Sequence, residues 1–478
     1  MKARQLEKIG IPAQLAQMAK WTAADARKRG GLTSAQVRSV MAELVADPAA
    51  MKDDEYFGEL AVALEKRQLL AAAAEKAAEG FEPRATPAPW QQWGEDLDEN
   101  SIEQMRNACQ LPVSVRGALM PDAHLGYGLP IGGVLATDNA VIPYAVGVDI
   151  ACRMKLTVLD MPVNALKGQR DRLVNAIEEQ TRFGIGAEFK GKRREHDVLD
   201  RDWNVTSVTK GVRAKAHAQL GSSGSGNHFV EFGVFTLEQE ELGLEAGTYL
   251  ALLSHSGSRG PGSTVANHYS KLAMELHPEL PKHLRHLAWL DLDSEAGQEY
   301  WHAMELMGEF ASANHWCIHH HVVKHLGAKA ILQIENHHNF AWKETHTTPD
   351  GEEKEMIVHR KGATPAGEGV LGVIPGSMAT PCYVVRGKGS SESLQSASHG
   401  AGRVMSRRKA KETYRWGPVN DYLKHRGVEL LSAGLDEVPH VYKDIDQVMQ
   451  QQDDLVDIVA RFDPKLVKMA PAGERPED

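Results

Sequence analysis

The sequence predicts an α+β fold, in which one large domain of mixed sheets and helices is preceded by a small all-α region. Apolar residues recur at helical spacing up to about residue 80. From Trp90 onward, glycine-rich turns separate short apolar runs of the kind that form buried strands. These strands and the intervening helical patterns follow no regular βαβ period, which favours a mixed α+β arrangement.

Residues 1–85 are predicted to form a helical accessory region. Val37, Met41 and Leu44 recur at helical spacing, and Thr33 stands just before them as an N-cap. A further helix is expected from about Asp53 to Glu79, which is rich in Ala, Leu, Glu and Lys. The proline-rich run 83–89 then breaks the pattern and marks the domain boundary.

The large domain is predicted to span residues 90–478. Its clearest strand candidates are the apolar runs 131–135 and 249–253. Helical patterns are expected at about 163–181, 262–276, 296–330 and 400–425.

Composition restricts the class of protein. The chain has 478 residues, a net charge of −10 and no apolar run long enough to span a membrane, so no membrane partner is expected. Four widely spaced cysteines contain no Cys-x-x-Cys pair, which argues against a disulfide framework or a zinc ribbon. The amino terminus carries no secretory pattern. A cytoplasmic location fits these features.

An acid and a thiol lie three residues apart behind a glycine. In the segment 146–152, Asp149 and Cys152 can point to one spot from one face of a helical turn, and Gly147 permits a close backbone approach. Taken alone, such a pair is more often structural than functional.

Histidines in polar or glycine-rich turns strengthen the case for a metal site. A single histidine of this kind is usually a hydrogen-bonded structural residue, whereas His228, His255, His338 and His399 together favour a shared function. Carboxylate, thiolate and imidazole form a ligand set for borderline divalent metals. His337 precedes His338, and on a strand only one of the two can face inward.

His399 precedes a Gly-Ala-Gly turn and a predicted helix, where a phosphate could bind. It could be a nucleophile towards phosphorus or a further metal ligand. The chain has no P-loop, no His-Glu-x-x-His and no Lys-x-Asp-Gly. If a nucleotide is activated covalently, histidine is therefore the better candidate.

Two basic segments, 190–194 and 403–411, could hold nucleic acid despite the acidic total. For the first segment, a solvated charged face is the simpler interpretation.

Taken together, these blocks resemble the RtcB family of RNA ligases. The resemblance covers about residues 90–470, in the family's order, through the segments 120–128, 130–134, 146–152, 224–231, 255–260, 338–339, 358–364, 374–378 and 399–406. It implies an RtcB-like catalytic domain over residues 90–478.

The resemblance implies roles for individual residues. Two Mn²⁺ ions would be held, with Cys152 bridging them, by Asp149, Cys152, His228, His255 and His338. His399 would be the histidine that GTP guanylylates, supported by Asp122 and His124. The residues expected around the nucleotide are Asn227, Glu231, Ser377, His399, Gly400, Ala401, Gly402, Tyr442 and Lys468.

The implied activity is GTP- and Mn²⁺-dependent joining of RNA 2′,3′-cyclic phosphate or 3′-phosphate ends to 5′-hydroxyl ends. Arg403, Arg407, Arg408 and Lys409 could hold the RNA backbone. Two other enzyme classes would use a similar site: a metal-dependent phosphoesterase, and an enzyme that caps 3′-phosphate ends with GMP, on RNA or on DNA ends. The oligomeric state is left open.

The chain departs from the family pattern in four places. Arg153 follows Cys152 where glycine is usual, and His337 stands where cysteine is common. The run Ser396-Ala397-Ser398 replaces Ser-Thr-Cys, and the helical amino-terminal region is additional. These departures concern the substrate more than the predicted metal and guanylylation residues.

Overall fold

A computed structural model describes residues 3–12, 15–65, 67–68 and 80–474. The chain divides into two compact units, Met1–Phe81 with Pro278–Pro281, and Glu82–His277 with Lys282–Asp478. The second unit mixes sheets and helices, which confirms the predicted α+β class. Within the described residues, no helix combines the length and apolar character needed to cross a membrane.

The regular structure described in the first unit is helical, with helices at Ala3–Glu7, Ala16–Lys28 and Ser34–Ala46, a short 3₁₀ helix at Ala49–Met51 and helical residues 58–65 and 67–68. Thr33 is the predicted N-cap and forms a capping box with Gln36. Val37, Met41 and Leu44 are buried in its core. The third predicted helix begins at 58 rather than 53, and residues 66 and 69–79 lie outside the described part.

The second unit contains a five-stranded sheet that carries Asp122. In sheet order its strands are Trp90–Gln92, Ser114–His124, Ile131–Thr137, Glu353–Lys361 and Asn339–Thr347. All neighbouring pairs are antiparallel except the first, which is parallel.

An eight-stranded sheet forms the second layer. Its main path runs through Ala330–His337, Arg153–Leu159, Gly247–Ser256, Phe229–Leu237, Val456–Met469, Cys382–Gly387 and Leu371–Pro375, and Glu429–Ser432 pairs with Val456–Met469. The two-stranded pairs are Ala140–Val141 with Leu290–Asp291, Arg182–Phe183 with Ser222–Gly224, and Ala363–Pro365 with Ser396–Ser398.

One face of the eight-stranded sheet packs against the long helix Glu295–His325. Ile318 and Val322 of this helix share a buried cluster with Val230, Phe232 and Leu252 of the sheet. Since side chains alternate along a strand, Glu231 points to the opposite face. The sheet thus separates a helix-covered apolar face from the face that carries the candidate site.

The other helices of this unit include Glu99–Cys109, Pro143–Val146, Ala165–Gly168, Arg170–Gln180, Ser207–Gln219, Arg259–Leu276, Arg407–Thr413, Trp416–His425 and Ile445–Gln450. The helix predicted from residue 400 starts later than expected, at Arg407, because Ser406 caps the backbone N–H of Lys409. His399 therefore does not stand at a helix amino terminus, and a phosphate there would not meet a helix dipole.

His359 gives the fold a measurable pH dependence. It is fully buried; its Nε2 accepts from the Ile142 N–H at 2.9 Å, and its Nδ1 lies 3.1 Å from the Leu135 carbonyl. Burial lowers the pKa of His359 to about 4, although hydrogen bonds to backbone carbonyls oppose the change. Only the neutral ring satisfies both contacts.

We expect His359 to destabilise the fold as the pH falls below about 6.5, the ordinary histidine pKa. Between that value and its folded pKa, only the unfolded chain takes up the proton, so stability decreases by roughly 1.4 kcal/mol per pH unit. Above that range the residue contributes no slope. His359→Gln keeps an acceptor but cannot titrate, so its unfolding free energy should depend less on pH in denaturant titrations. Parallel pH profiles for the two proteins would contradict this.

Candidate active site

Three neighbouring antiparallel strands bring a thiol and two imidazoles together. His255 is paired with Met154 on one side and with Phe229 on the other, so Cys152 and His228 lie at the same end of the sheet. The Cys152 Sγ is 3.1 Å from His255 Nε2 and 3.4 Å from His228 Nε2. All three residues are buried.

Asp149 joins this cluster through a tight turn. The Cys152 N–H donates to the Asp149 carbonyl at 3.2 Å, and Asp149 Oδ2 lies 3.0 Å from His228 Nε2. A Cβ at Gly257 would stand 2.2 Å from Asp149 Oδ1. Glycine is therefore required at position 257 to leave room for this carboxylate.

His338 reaches the cluster from the junction of the two sheets. Its Nε2 lies 3.2 Å from His255 Nε2. Its backbone carbonyl accepts from the N–H of Ala363, and Ala363 is paired with Ser398, the residue before His399. One short strand pair thus fixes His338 and His399 near each other, with their ring centres 5.0 Å apart.

His337 turns to the other side of the strand. Its ring packs against Phe340 and Trp342, with centroid distances of 5.1 and 5.0 Å. Arg153 also turns away from the cluster, and its guanidinium donates to Glu335 Oε1 at 2.8 Å. These two departures from the family pattern leave the cluster itself unaltered.

Burial favours the neutral form of two imidazoles, His255 and His338. Burial, together with the neighbouring His228, lowers the pKa of His255 to about 3. Burial and the surrounding histidines also hold the pKa of His338 well below its usual range. A neutral imidazole offers a lone pair to a metal ion. Within the described part of the chain, His338 Nδ1 is buried without a hydrogen-bond partner.

The donor atoms meet the requirements of a metal centre. Ligand atoms of Cys152, His228 and His255 all lie within 4.8 Å of one another. Sulfur and nitrogen donors with an adjacent carboxylate suit a borderline divalent cation. Cys152, His228 and His255 could therefore hold a metal ion, with Asp149 and His338 beside them.

His399 stands between this cluster and a buried acid. Its Nδ1 lies 2.7 Å from Asp122 Oδ2, which also accepts from the backbone N–H groups of His399 and Gly400 at 3.1 and 3.2 Å. Burial raises the pKa of Asp122, but the contacts to His399 outweigh burial and the net shift is downward. An ionised carboxylate only accepts, so Nδ1 carries the proton, and in the neutral ring Nε2 has the lone pair.

A pocket of about 870 Å³, partly open to solvent, adjoins His399. Its lining includes the predicted nucleotide residues Asn227, Glu231, Ser377, His399, Gly400, Ala401, Gly402 and Tyr442. Phe229, Met378, Thr380, Cys382 and Glu437 also line it and were not predicted. Phe229 could have been found from strand alternation, because it lies two residues before Glu231 on one face. Glu437 is the last residue of the short 3₁₀ helix Leu435–Glu437 and carries no comparable signal.

Glu231 is the unusual group in this pocket. It is 4% exposed, and no hydrogen bond or ion pair reaches its carboxyl group from the described residues. Burial raises the pKa of Glu231 well above its usual range. A ligand that brings hydrogen-bond donors would therefore find an acceptor without a competing partner.

Lys468 is not brought to the pocket. Val467 and Met469 line it, so the intervening side chain points to the opposite face, where Nζ pairs with Glu178. Because side chains alternate along the strand, Lys468 lies outside the pocket lining in which the nucleotide contact was expected.

The basic run after His399 is largely neutralised. Arg403 and Arg407 form ion pairs with the buried Glu437, and Lys411 pairs with Asp436 at 3.3 Å. Arg408 remains exposed. Most of these basic side chains therefore stabilise the pocket wall through ion pairs, and Arg408 is exposed enough to contact a polyanion.

Comparison with known proteins agrees with the geometry. The model of the RtcB family, described as tRNA-splicing ligase RtcB, matches residues 104–206 and 195–469. The chain belongs to the RtcB family. The resemblance inferred from the sequence is thereby confirmed, and the RtcB match lies in the second unit except at residues 278–281.

Curated relatives of this RtcB chain cover most of its length. The RNA-splicing ligase RtcB of Escherichia coli (strain K12) is 34% identical over 406 residues, which span 78% of this chain and 95% of that protein. The tRNA-splicing ligase RtcB of Nanoarchaeum equitans is 34% identical over 443 residues, with 77% and 91% covered. That of Thermococcus kodakarensis is 32% identical over 437 residues, with 77% and 90% covered.

The adjacent histidines provide a matched test of the metal centre. We expect His338→Ala to reduce bound divalent metal by roughly tenfold or more, since even residues that only support metal ligands change affinity 10- to 100-fold. Cys152→Ala should do the same. His337→Ala removes the neighbouring imidazole on the opposite face and should keep its metal. Elemental analysis after dialysis, with thermal melting to verify folding, measures this; equal loss in the two histidine variants would contradict it.

Proposed function

We propose that this protein is a GTP- and Mn²⁺-dependent RNA ligase that joins 3′-phosphate or 2′,3′-cyclic phosphate ends to 5′-hydroxyl ends through a guanylylated His399. The observation that carries the proposal is the position of His399, oriented by Asp122 and next to His338 of the donor cluster, in the wall of a pocket that contains Glu231. Relatives named RNA-splicing ligase support the same reading.

In the first step, His399 Nε2 attacks the α-phosphorus of GTP. A phosphorus–nitrogen bond forms, the bond to the β-phosphate oxygen breaks, and pyrophosphate leaves. Asp122 holds the Nδ1 proton and stabilises the positive charge that develops on the ring, as a carboxylate does behind a catalytic histidine. The proton stays on Nδ1 throughout this step.

Glu231 favours guanine over adenine. Guanine presents N1–H and an exocyclic amino group on one edge, whereas adenine presents an acceptor at N1. A buried carboxyl group without another partner gains most from a base with two adjacent donors. Tyr442 and Ser377 line the same pocket, where they would meet the rest of the nucleotide.

Asp149, Cys152, His228, His255 and His338 would hold the Mn²⁺ ions. When bound, such ions offset phosphate charge and stabilise the transition state of phosphoryl transfer. The protein itself lowers the pKa values of His255 and His338 by burial and keeps water out of the cluster.

The later steps move GMP from the protein to RNA. Water opens a cyclic phosphate to a 3′-phosphate, whose oxygen attacks the phosphorus on His399. The phosphorus–nitrogen bond breaks and an RNA–GMP anhydride forms. The 5′-hydroxyl of the second RNA then attacks the 3′-phosphorus, a phosphodiester forms, and GMP leaves.

Incubation with Mn²⁺ and α-labelled GTP tests the first step. The native protein should retain label through denaturation, while His399→Ala should retain none because the nucleophile is gone. His337→Ala, which lies outside the donor cluster, should be labelled normally. An unlabelled native protein would overturn the proposal and favour a phosphoesterase, as would equal labelling of His399→Ala.

Joining a 3′-phosphate RNA to a 5′-hydroxyl RNA separates ligation from end capping. A ligase yields the longer product, whereas a capping enzyme accumulates RNA that ends in GMP. A stable capped product with no joined RNA would contradict the ligase assignment.

Asp122→Asn tests the tautomer argument. An amide can present its N–H group to Nδ1, which then holds no proton, so that Nε2 becomes protonated and loses nucleophilicity. We expect the labelling rate to fall by roughly 10²- to 10⁴-fold, with Mn²⁺ content unchanged. Single-turnover labelling measures this rate; a variant that is labelled at the native rate would contradict it.

A further inference from the structure

A second pocket lies apart from the nucleotide pocket, between the carboxyl half of helix Glu295–His325 and the strand Ala330–His337. We call it the Trp316 groove. It encloses about 910 Å³, partly open to solvent, and its lining includes Lys155, Trp316, His320, Lys324, Lys329 and Gln333. It shares no lining residue with the nucleotide pocket.

An aromatic platform forms one wall of the groove. Trp316 and His320 are one helical turn apart, and their rings stack with a centroid distance of 4.3 Å and an interplanar angle of 10°. Trp316 is nevertheless 39% exposed. Solvent contact with these stacked rings leaves apolar surface unburied. Another flat ring could cover that surface by stacking on the pair.

The groove is basic as well as aromatic. Lys324 follows His320 by another turn of the helix, and Lys329 lies at the start of the adjoining strand; both are exposed. Neither forms an ion pair within the described part of the chain. The groove floor contributes Lys155, whose charge is balanced by Glu335 at 2.8 Å.

The nearby cations contribute to lowered pKa values of two histidines, His320 in the groove and the adjacent His321. Burial, followed by the charges of Lys324 and Arg194, lowers the pKa of His320. Burial and then Arg194 lower the pKa of His321 to about 4. Arg194 belongs to the basic segment 190–194, so that segment adds to the same positive region. No acidic residue lines the groove itself.

We propose that the Trp316 groove binds a single-stranded part of the RNA substrate on the helix-covered side of the eight-stranded sheet, with a base stacked on Trp316 and phosphates contacting Lys324 and Lys329. Exposed aromatic rings combined with unpaired cations form the usual platform for single strands, because every base has a flat face and every nucleotide a phosphate. An acidic peptide would use the cations but gain little from the rings. The inference rests on the proposed function, since it assigns a second contact for that substrate.

Fluorescence anisotropy with a short labelled 5′-hydroxyl RNA, on the full-length chain, tests the groove. Trp316→Ala should weaken binding by roughly 5- to 150-fold, the usual effect of losing one stacked base. Trp316→Phe keeps a ring and should recover most of the affinity. Guanylylation of His399 should be unchanged in both variants.

The lysines predict a salt effect. Replacing Lys324 and Lys329 by glutamine should reduce the slope of log affinity against log salt by about 1.4, or 0.7 per phosphate contact on a single strand. A control with glutamine at Lys271 and Lys354, two exposed lysines outside the groove, removes the same charge and should keep the native slope.

Native affinity in Trp316→Ala would overturn the inference, as would a Trp316→Phe variant as weak as the alanine variant. Loss of poly-glutamate binding with RNA binding intact would show that the groove takes an acidic protein instead, and would also overturn it. Failure of the proposed function is separate, because absent guanylylation in the native protein does not affect an anisotropy measurement.

Discussion

The register of three adjacent strands is the constraint on which the site depends. Because His255 is paired with both Met154 and Phe229, the residues that precede those strands must meet beside it. A shift of one residue in either pairing would turn an imidazole or the thiol to the opposite face. The long helix Glu295–His325 fixes this register, since it buries the other face of the same strands with Ile318 and Val322. The helix-packed apolar cluster and the chemistry therefore use opposite faces of one sheet.

Burial also changes the pKa values of the groups in the site. Imidazoles removed from water cannot easily hold a proton, so His255 and His338 stay neutral and keep their lone pairs. Asp122 is equally buried, yet it stays ionised because His399 and the backbone donate to it. Glu231 has no such donors, so burial raises its pKa well above the usual range. Burial thus favours the neutral form of each of these groups, and only at Asp122 do the partners outweigh that effect.

The sequence predicted which residues take part in the chemistry more fully than it predicted where the fold places them. Asp149 and Cys152 could be paired from their spacing, and alternation along a strand implied that only one of His337 and His338 faces inward. The strand runs 131–135 and 249–253 correspond to Ile131–Thr137 and Gly247–Ser256.

The late start of helix Arg407–Thr413 was missed because Ser406, a capping residue, outweighs the helical pattern around it. The position of Lys468 outside the pocket lining depends on pairing with Phe229–Leu237, which involves residues far away in the chain. Glu437 and the Trp316 groove arise from tertiary packing that no local pattern encodes.

The convergence of the donors beside His399 can be observed directly. Crystals of the protein treated with Mn²⁺ and GTP should show anomalous scattering at the manganese edge among Cys152, His228, His255 and His338, and continuous density from His399 Nε2 to a nucleotide phosphorus. Manganese peaks elsewhere, with these side chains pointing apart and His399 unmodified, would contradict the proposed site and its chemistry.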